Sequence, residues 1–497
     1  MSGALFRSDW RNIRRYAVPA RMVAECAEAR QRGDWRAACE AARIDVDIDP
    51  DLLVEAPVAH LAPDLLRWHL PRVLHGSTEF AARRLHLLVP DSPVGPDTVL
   101  LTVRSADSAH GSQRLRLGAV RGAAVLLDGP AAPFPAYFWD VRSIGRLPAA
   151  LGSGSAASDR RAAFAAAGFE FTAGQDDKWR SADRNRVLTP LDPWRLAHDT
   201  RWLAARLGER AWTVSDNSYW QPNAFRYLTV FVDGDTTRVS WTTTEGRPCI
   251  PIDLVCYSAD QELIRQGQLA PGALHPLVRD VLYPDAPAEP FVPTDGEVVR
   301  VRCNGVWHAV EARLGRLDPL AHTLDERRRE RALQAFGGAT GGCFAVERMW
   351  YGGLGRLPRR LREYRAGLWQ RLIHGGTRTL CELLDAGLDP YLRDGTGGTL
   401  IHRIAAFDHR EMLPRLLAAG VGLDTVDKEG YTALHRTVQQ LGPADVIMTL
   451  VDAGADLSIR NRDGETVLDH VRKAFRYGDR LRPDLRAALV HLREQAP

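Results

Sequence analysis

Cys343 and two histidines are the residues of this 497-residue chain whose types could support covalent catalysis. A cysteine at the start of a helix can act as a nucleophile, and His308 or His322 could serve as its base. No cysteine-hydrolase signature surrounds Cys343, so a buried structural thiol is the favoured interpretation. We therefore predict no catalytic residue.

The glycine-rich segment between Gly337 and Gly342 could hold a phosphate group with its backbone N–H groups. It lacks the Gly-Lys-Ser/Thr of a Walker motif, and it follows a predicted helix instead of a strand. These features favour a connector over a nucleotide site.

Metal ligands are the next type of residue to consider. Asp45, Asp47 and Asp49 have the opening spacing of a calcium loop, but Pro50 occupies the position that requires glycine. The seven cysteines contain no Cys-x-x-Cys pair and no recognisable metal spacing. We predict no metal and no cofactor, and we expect reduced thiols in a cytoplasmic protein.

A mixture of aromatic and amide side chains is typical of small-molecule or peptide pockets, and also of ordinary β cores. The densest such mixture in the chain is Trp212, Asn217, Tyr219, Trp220, Gln221 and Asn223. The core interpretation is favoured, and a small-molecule ligand stays open.

Composition limits the class of partner. The net charge is +3, with 65 basic and 62 acidic residues, and only three of the basic residues are lysines. Because acidic residues nearly match the arginines, nucleic-acid binding is not expected. No apolar run approaches the length of a membrane span, and the first twenty residues contain no secretory signal.

The elements that would position these residues indicate a multidomain protein with an α+β N-terminal and middle region and an all-α C-terminal stack. Residues 1–90 are predicted to be mostly helical, including a helical stretch at 63–89. Residues 91–335 are predicted to form an α+β platform of one domain or two subdomains, and Asp233-Gly234 and Asn304-Gly305 each predict an antiparallel hairpin within it. Residues 336–360 are predicted to be a glycine-rich connector, and 361–497 to form the C-terminal stack of about three to four units, including its caps.

The C-terminal stack repeats itself at steps of 33 and 34 residues. The recurring positions are Thr399, Thr432 and Thr466, His402 and His435, and Gly387, Gly420 and Gly454. This period and pattern resemble the ankyrin repeat, a turn followed by two antiparallel helices. The arginine-rich composition and the overall layout are also similar to ankyrin-bearing proteins of high-GC bacteria. The resemblance implies that these threonines, histidines and glycines hold the fold together.

The same resemblance implies a protein partner, which the sequence does not identify. Its contacts are expected on the finger tips and inner helices, at Arg393, Thr396, Arg403, Lys428, Glu429, Tyr431, Arg436, Arg460, Arg462 and Glu465. The predicted function is a non-catalytic scaffold that docks a partner through this stack, without binding a membrane. The alternative is an enzyme or effector domain within residues 97–350, which the repeats would direct to its target.

Overall fold

The computed structural model describes most of the chain, in ranges separated by short gaps. These ranges are 3–74, 77–127, 129–151, 159–175, 177, 179, 191–215, 227–242, 248–336, 341–352 and 356–494. They form two compact units, one of residues 1–106 and 114–291 and the other of residues 107–113 and 292–497. No helix within these ranges is both long and apolar enough to cross a lipid bilayer.

The first unit contains eleven α-helices, five short 3₁₀ helices and ten strands among its described residues. The helices are α1 (Gly3–Tyr16), α2 (Ala20–Gln31), α3 (Trp35–Ala41), α4 (Pro50–Leu53), α5 (Pro63–His69), α6 (Ala124–Leu127), α7 (Leu147–Leu151), α8 (Arg160–Ala166), α9 (Pro193–Leu207), α10 (Ala259–Arg265) and α11 (Pro276–Leu282). The strands are β1 (Ile44–Val46), β2 (Leu85–Val89), β3 (Val99–Arg104), β4 (Leu115–Arg121), β5 (Ala132–Pro135), β6 (Phe169–Phe171), β7 (Ala211–Ser215), β8 (Tyr227–Asp233), β9 (Thr236–Thr242) and β10 (Cys249–Pro251).

The strands of the first unit form two five-stranded sheets with the same topology. Their orders are β1-β4-β3-β2-β5 and β6-β9-β8-β7-β10. In each sheet the three middle strands form an antiparallel meander, and both outer strands pair in parallel with it. The fold of the first unit is therefore an internal structural repeat.

Matching residues begin each half of this repeat. Asp34 and Asp159, which lie 125 residues apart, cap α3 and α8 by accepting backbone N–H groups from the first turn. From these aspartates to the ends of β1 and β6, six of thirteen positions are identical. Both helices lead into their strands through a left-handed residue, Arg43 (φ 58°) or Gly168 (φ 85°). The duplication therefore extends to the turn geometry.

The predicted helical stretch at 63–89 is wrong beyond α5. Residues 85–89 form β2, which lies inside its sheet with Leu87, Leu88 and Val89 fully buried. A short continuous apolar run is compatible with a buried strand as well as with a helix. Residues 85–89 form a strand because they pair with β3 on one side and β5 on the other. The predicted hairpin at Asp233-Gly234 is confirmed by the antiparallel pairing of β8 with β9.

The second unit begins with a three-stranded sheet and continues into helices. Its strands are β11 (Gly296–Cys303), β12 (Val306–Arg313) and β13 (Arg316–Asp318). Its helices are α12 (Leu324–Ala335), α13 (Gly342–Trp350), α14 (Arg359–Asp385), α15 (His409–Ala418), α16 (Ala433–Gln439), α17 (Ala444–Asp452), α18 (Val467–Ala474) and α19 (Pro483–Glu494). Short 3₁₀ helices lie at Leu400–Ala406 and Phe475–Arg480.

The hairpin of β11 and β12 shares one apolar core with the helices that follow it. Val299 and Val310 belong to the same buried cluster as Leu361 and Leu372 of α14. The boundary between the two units therefore follows residue 291, inside the predicted 91–335 platform, because the hairpin buries its apolar face in the second unit. We call residues 296–350 the hairpin region.

Candidate protein-binding surface of the repeats

Each repeat of the second unit opens with a turn built by one acidic or amide side chain. Asp394, Asp427 and Asn461 occupy equivalent positions. A side-chain oxygen of each accepts the backbone N–H groups of the second and fourth residues that follow, at 2.8 to 3.0 Å. Asp and Asn commonly stabilise turns in this way. These turns form the fingers of the stack.

A positively charged side chain from the following helical segment contacts the same turn. Arg403 Nη2 donates to Asp394 Oδ2 at 3.3 Å, and Arg436 forms an ion pair with Asp427. In both repeats the arginine lies nine residues after the aspartate. The two arginines therefore fasten the fingers to their own repeats.

Threonine and histidine cap the first helical segment of two successive repeats. Thr399 Oγ1 lies 3.1 Å from His402 Nδ1, and Thr432 Oγ1 lies 2.8 Å from His435 Nδ1. His402 Nδ1 accepts the Thr399 N–H at 3.0 Å, and its Nε2 donates to the Tyr431 carbonyl of the next repeat at 3.0 Å. This histidine thus connects two neighbouring units through hydrogen bonds.

The third repeat keeps the cap with a different residue. Asp469 stands where the other two repeats have histidine, and its Oδ2 accepts the N–H and the hydroxyl of Thr466 at 2.9 and 3.0 Å. A carboxylate can accept both donors, so the local geometry of the capping box survives the substitution. It has no ring nitrogen to donate to a further unit.

Burial keeps the repeat histidines neutral. It lowers the pKa of His402 below its ordinary value. Burial, with a smaller contribution from the neighbouring His470, lowers the pKa of His435 to about 4. His402 forms hydrogen bonds through both ring nitrogens and His435 through Nδ1, which suits structural histidines.

The ten predicted partner-binding residues divide by exposure. Thr396, Lys428, Glu429, Arg460 and Arg462 are exposed, and we call these five the finger surface. Arg393, Arg403, Arg436 and Glu465 are half-buried. Tyr431 is only 7 % exposed.

All four half-buried residues form contacts inside the stack, Arg403 and Arg436 through the aspartates described above. Arg393 donates to the carbonyl oxygens of Gly397 and Val426 at 2.5 and 3.3 Å, and Glu465 pairs with Lys473.

Tyr431 lies in the interior, contrary to its predicted position facing a partner. Its ring packs against the rings of His435 and His470, and the Arg436 guanidinium covers it at 4.2 Å. The neighbouring helices fill the space that a partner would need to reach the ring.

The three residues considered for covalent catalysis, Cys343, His308 and His322, lie close together in the hairpin region. His308 Nδ1 is 3.0 Å from His322 Nε2, and Cys343 and Cys303 lie beside them. Burial, followed by the neighbouring Cys303, raises the pKa of Cys343 to about 11. A neutral thiol is a weak nucleophile, which disfavours the enzyme interpretation at this position. Sequence reasoning missed Cys303, although it lies only five residues before His308 across a predicted hairpin.

Other predicted candidates lie partly outside the described residues. This holds for residues 337–340 of the glycine-rich segment and for residues 216–226, which contain most of the aromatic and amide mixture. Trp212, the described member of that mixture, is fully buried and donates its Nε1–H to the Glu209 carbonyl.

Comparison with known proteins gives the same identification for the C-terminal region. Residues 370–461 match the sequence profile of ankyrin repeats, in three copies. An ankyrin repeat-containing protein of Schizosaccharomyces pombe is 38 % identical over 66 residues, which are 13 % of this chain and 31 % of that protein.

Two further relatives match at similar identity. The inhibitor of Bruton tyrosine kinase of Xenopus laevis is 38 % identical over 84 residues, 16 % of this chain and 6 % of that protein. A putative ankyrin repeat-containing protein of Treponema pallidum is 34 % identical over 86 residues, 17 % of this chain and 28 % of that protein. The chain thus spans less than a third of each relative's length. The C-terminal region of this protein carries ankyrin repeats at residues 370–461, which indicate protein–protein interaction.

Proposed function

We propose that this protein is a non-catalytic scaffold that docks a partner protein through its finger surface. One observation carries the proposal. The recurring polar residues of the repeats are engaged in turns and caps, while exposed finger-tip residues differ at equivalent positions, as in Thr396, Glu429 and Asp463. Selective recognition of one partner requires exposed side chains that vary while the backbone of the repeats stays the same.

Arg462 is the residue of the finger surface whose side chain has the fewest polar interactions within the described structure. It is exposed, and its guanidinium forms no hydrogen bond or ion pair with the described residues. Lys428 lies one repeat earlier, exposed, with its Nζ 3.3 Å from the Gly395 carbonyl oxygen. Arginine is enriched among the residues that dominate binding energies at protein interfaces. These two cations are therefore proposed as the main contacts.

The relatives and the cysteines support other parts of the proposal. One relative carries a name that makes it an inhibitor of a protein kinase, so a protein is the target of that relative. The seven cysteines, all within the described ranges, form no disulfide, which suits a reducing, cytoplasmic location.

Matched charge reversals test the proposal in the full-length chain. One variant carries Lys428→Glu and Arg462→Glu, and the control carries Arg348→Glu and Arg410→Glu. The control residues are exposed cations of α13 and α15, so the net charge changes equally. Capture from the native host, quantified by mass spectrometry, should lose the same partner only with the finger variant. A partner lost equally from both variants, or from neither, would refute the proposed surface.

A further inference from the structure

Four side chains that could bind a metal converge in the hairpin region. Cys303 ends β11, His308 lies in β12, His322 lies between β13 and α12, and Cys343 lies in the first turn of α13. One donor atom of each residue lies within 4.8 Å of the donor atoms of the other three. We call these four residues the Cys/His cluster.

The donor set and its size suit one tetrahedral ion. Zinc binds thiolate sulfur at about 2.3 Å and imidazole nitrogen at about 2.0 to 2.1 Å, so neighbouring donors should be about 3.3 to 3.8 Å apart. His308 Nδ1 and His322 Nε2 are 3.0 Å apart, and the other donors lie within the 4.8 Å limit. A donor set of two sulfurs and two nitrogens favours zinc over the harder cations.

Strand geometry brings the first two ligands to one face of the hairpin. The Asn304-Gly305 turn has positive φ at both residues, 50° and 86°, as the two-residue hairpin turn requires. Cys303 pairs across the turn with Val306, and His308 pairs with Val301. Because successive side chains alternate between faces, Cys303 and His308 lie on the same face as the buried Val299 and Val310.

A glycine lets the fourth ligand approach the first. Gly342 has φ +54°, and a Cβ atom there would come within 2.5 Å of Cys303 Sγ and 2.8 Å of Cys303 Cα. Any other residue would push α13 away from the strand end. The backbone is therefore shaped to hold Cys343 beside Cys303.

The surroundings of His322 resemble those of a metal-bound histidine. Its Nδ1 is 3.7 Å from Glu326 Oε2, while its Nε2 faces the Cys/His cluster. Thr323 holds this carboxylate through its own N–H at 2.8 Å. A carboxylate behind the imidazole fixes the tautomer and orientation of a ligating histidine. The ring of Phe344 packs over His322 with 4.5 Å between ring centroids.

We propose that Cys303, His308, His322 and Cys343 bind one Zn²⁺ ion. The site is closed, because all four coordination positions are filled by protein side chains, so its role is structural and not catalytic. It fastens α13 and the segment before α12 to the β11–β12 hairpin. Zinc sites of this kind stabilise small regions whose apolar core is limited.

Metal analysis of the full-length protein tests this proposal. The protein is purified with a tag that contains no histidine, exposed to excess Zn²⁺, desalted and analysed by inductively coupled plasma mass spectrometry. We expect about one zinc per chain, and a loss of roughly tenfold or more in Cys303→Ser and Cys343→Ser. Cys381→Ser, which alters a thiol of α14 outside the Cys/His cluster, should keep its zinc.

A second measurement keeps the test decisive if the serine variants fail to fold. Wild-type protein loaded with Co²⁺ should show the visible absorption of a tetrahedral site and a thiolate-to-cobalt charge-transfer band. Wild-type protein without zinc and without these bands would overturn the proposal. Bound iron would overturn the choice of ion, and zinc retained by both folded serine variants would overturn the ligand set.

Discussion

In the ankyrin repeats His402 and His435 are each held by the threonine three residues before them, whereas the two histidines of the hairpin region face each other and two thiols. Histidine thus has a hydrogen-bonding partner close in sequence in the repeats, whereas in the hairpin region it belongs to a cluster of four side chains. The Thr–His pairs can be recognised because they recur in the sequence. The four side chains of the cluster come from separate segments, which only the tertiary structure brings together.

The largest expected difference between the two regions follows removal of metal. Chelation should release Zn²⁺ and accelerate amide hydrogen exchange in residues 296–318 and 342–350 by about tenfold or more. Peptides from 433–474 should change little, since their turns and caps need no ion. Exchange mass spectrometry of the full chain with and without chelator measures both. Equal acceleration in the two regions would remove the distinction between them.

Two glycine substitutions should destabilise the regions unequally. Gly342→Ala should lower the free energy of unfolding by about 3 kcal/mol or more, since the added methyl group meets the Cys303 backbone at a positive φ. Gly454→Ala meets open space at φ +90° and should cost only about 1–2 kcal/mol. Urea unfolding, followed locally by hydrogen exchange, compares the two variants. A larger effect at Gly454 would contradict the packing described for Gly342.

Acid should weaken the repeats through their histidines. The folded-state pKa of His435 is about 4, below the ordinary 6.5, so the unfolded chain takes up this proton first as pH falls. The contribution of neutral His435 to the free energy of unfolding is therefore complete above about pH 6.5, and it declines as pH falls from about 6.5 to 4. As pH is lowered from about 6.5 to 4, the urea midpoint of the repeats should decrease less in His435→Gln than in the wild type. Parallel slopes would show that His435 does not remain neutral in the folded state.

The smallest expected effect concerns a single cap. Thr432→Val removes the hydroxyl that contacts His435 and should lower stability by about 1 kcal/mol. Thr449→Val, within α17, is the matched control and should change it by less than about 0.5 kcal/mol. The difference in urea midpoint between the two variants measures the cap. No difference would mean that the Thr–His pair contributes nothing to the repeat.

Sequence alone predicted the parts of the fold that have local causes. The Asn304-Gly305 hairpin was visible because its turn residues adopt positive φ, and Gly420 and Gly454 were visible because they end helices in the left-handed conformation. The duplication of the first unit was missed, because only short stretches such as those after Asp34 and Asp159 retain similar residues.

The candidate sites show the same limit. The finger positions could be named from the repeat period, but the burial of Tyr431 depends on His470 of the next repeat. The Cys/His cluster could not be recognised from spacing, because its ligands extend over residues 303–343 and the approach of Cys343 depends on Gly342. The sequence identifies turns through local signals, but it does not reveal which distant segments lie together in the folded chain.

The affinity for the partner protein reports directly on docking through the finger surface. Once the captured partner is purified, calorimetry should compare the wild type with the finger variant, Lys428→Glu with Arg462→Glu, and the control, Arg348→Glu with Arg410→Glu. We expect a Kd raised by about 100-fold in the finger variant, since two interface cations are reversed, and a Kd within about twofold of wild type in the control. An unchanged Kd in the finger variant, with both variants as stable as the wild type, would contradict docking through the finger surface.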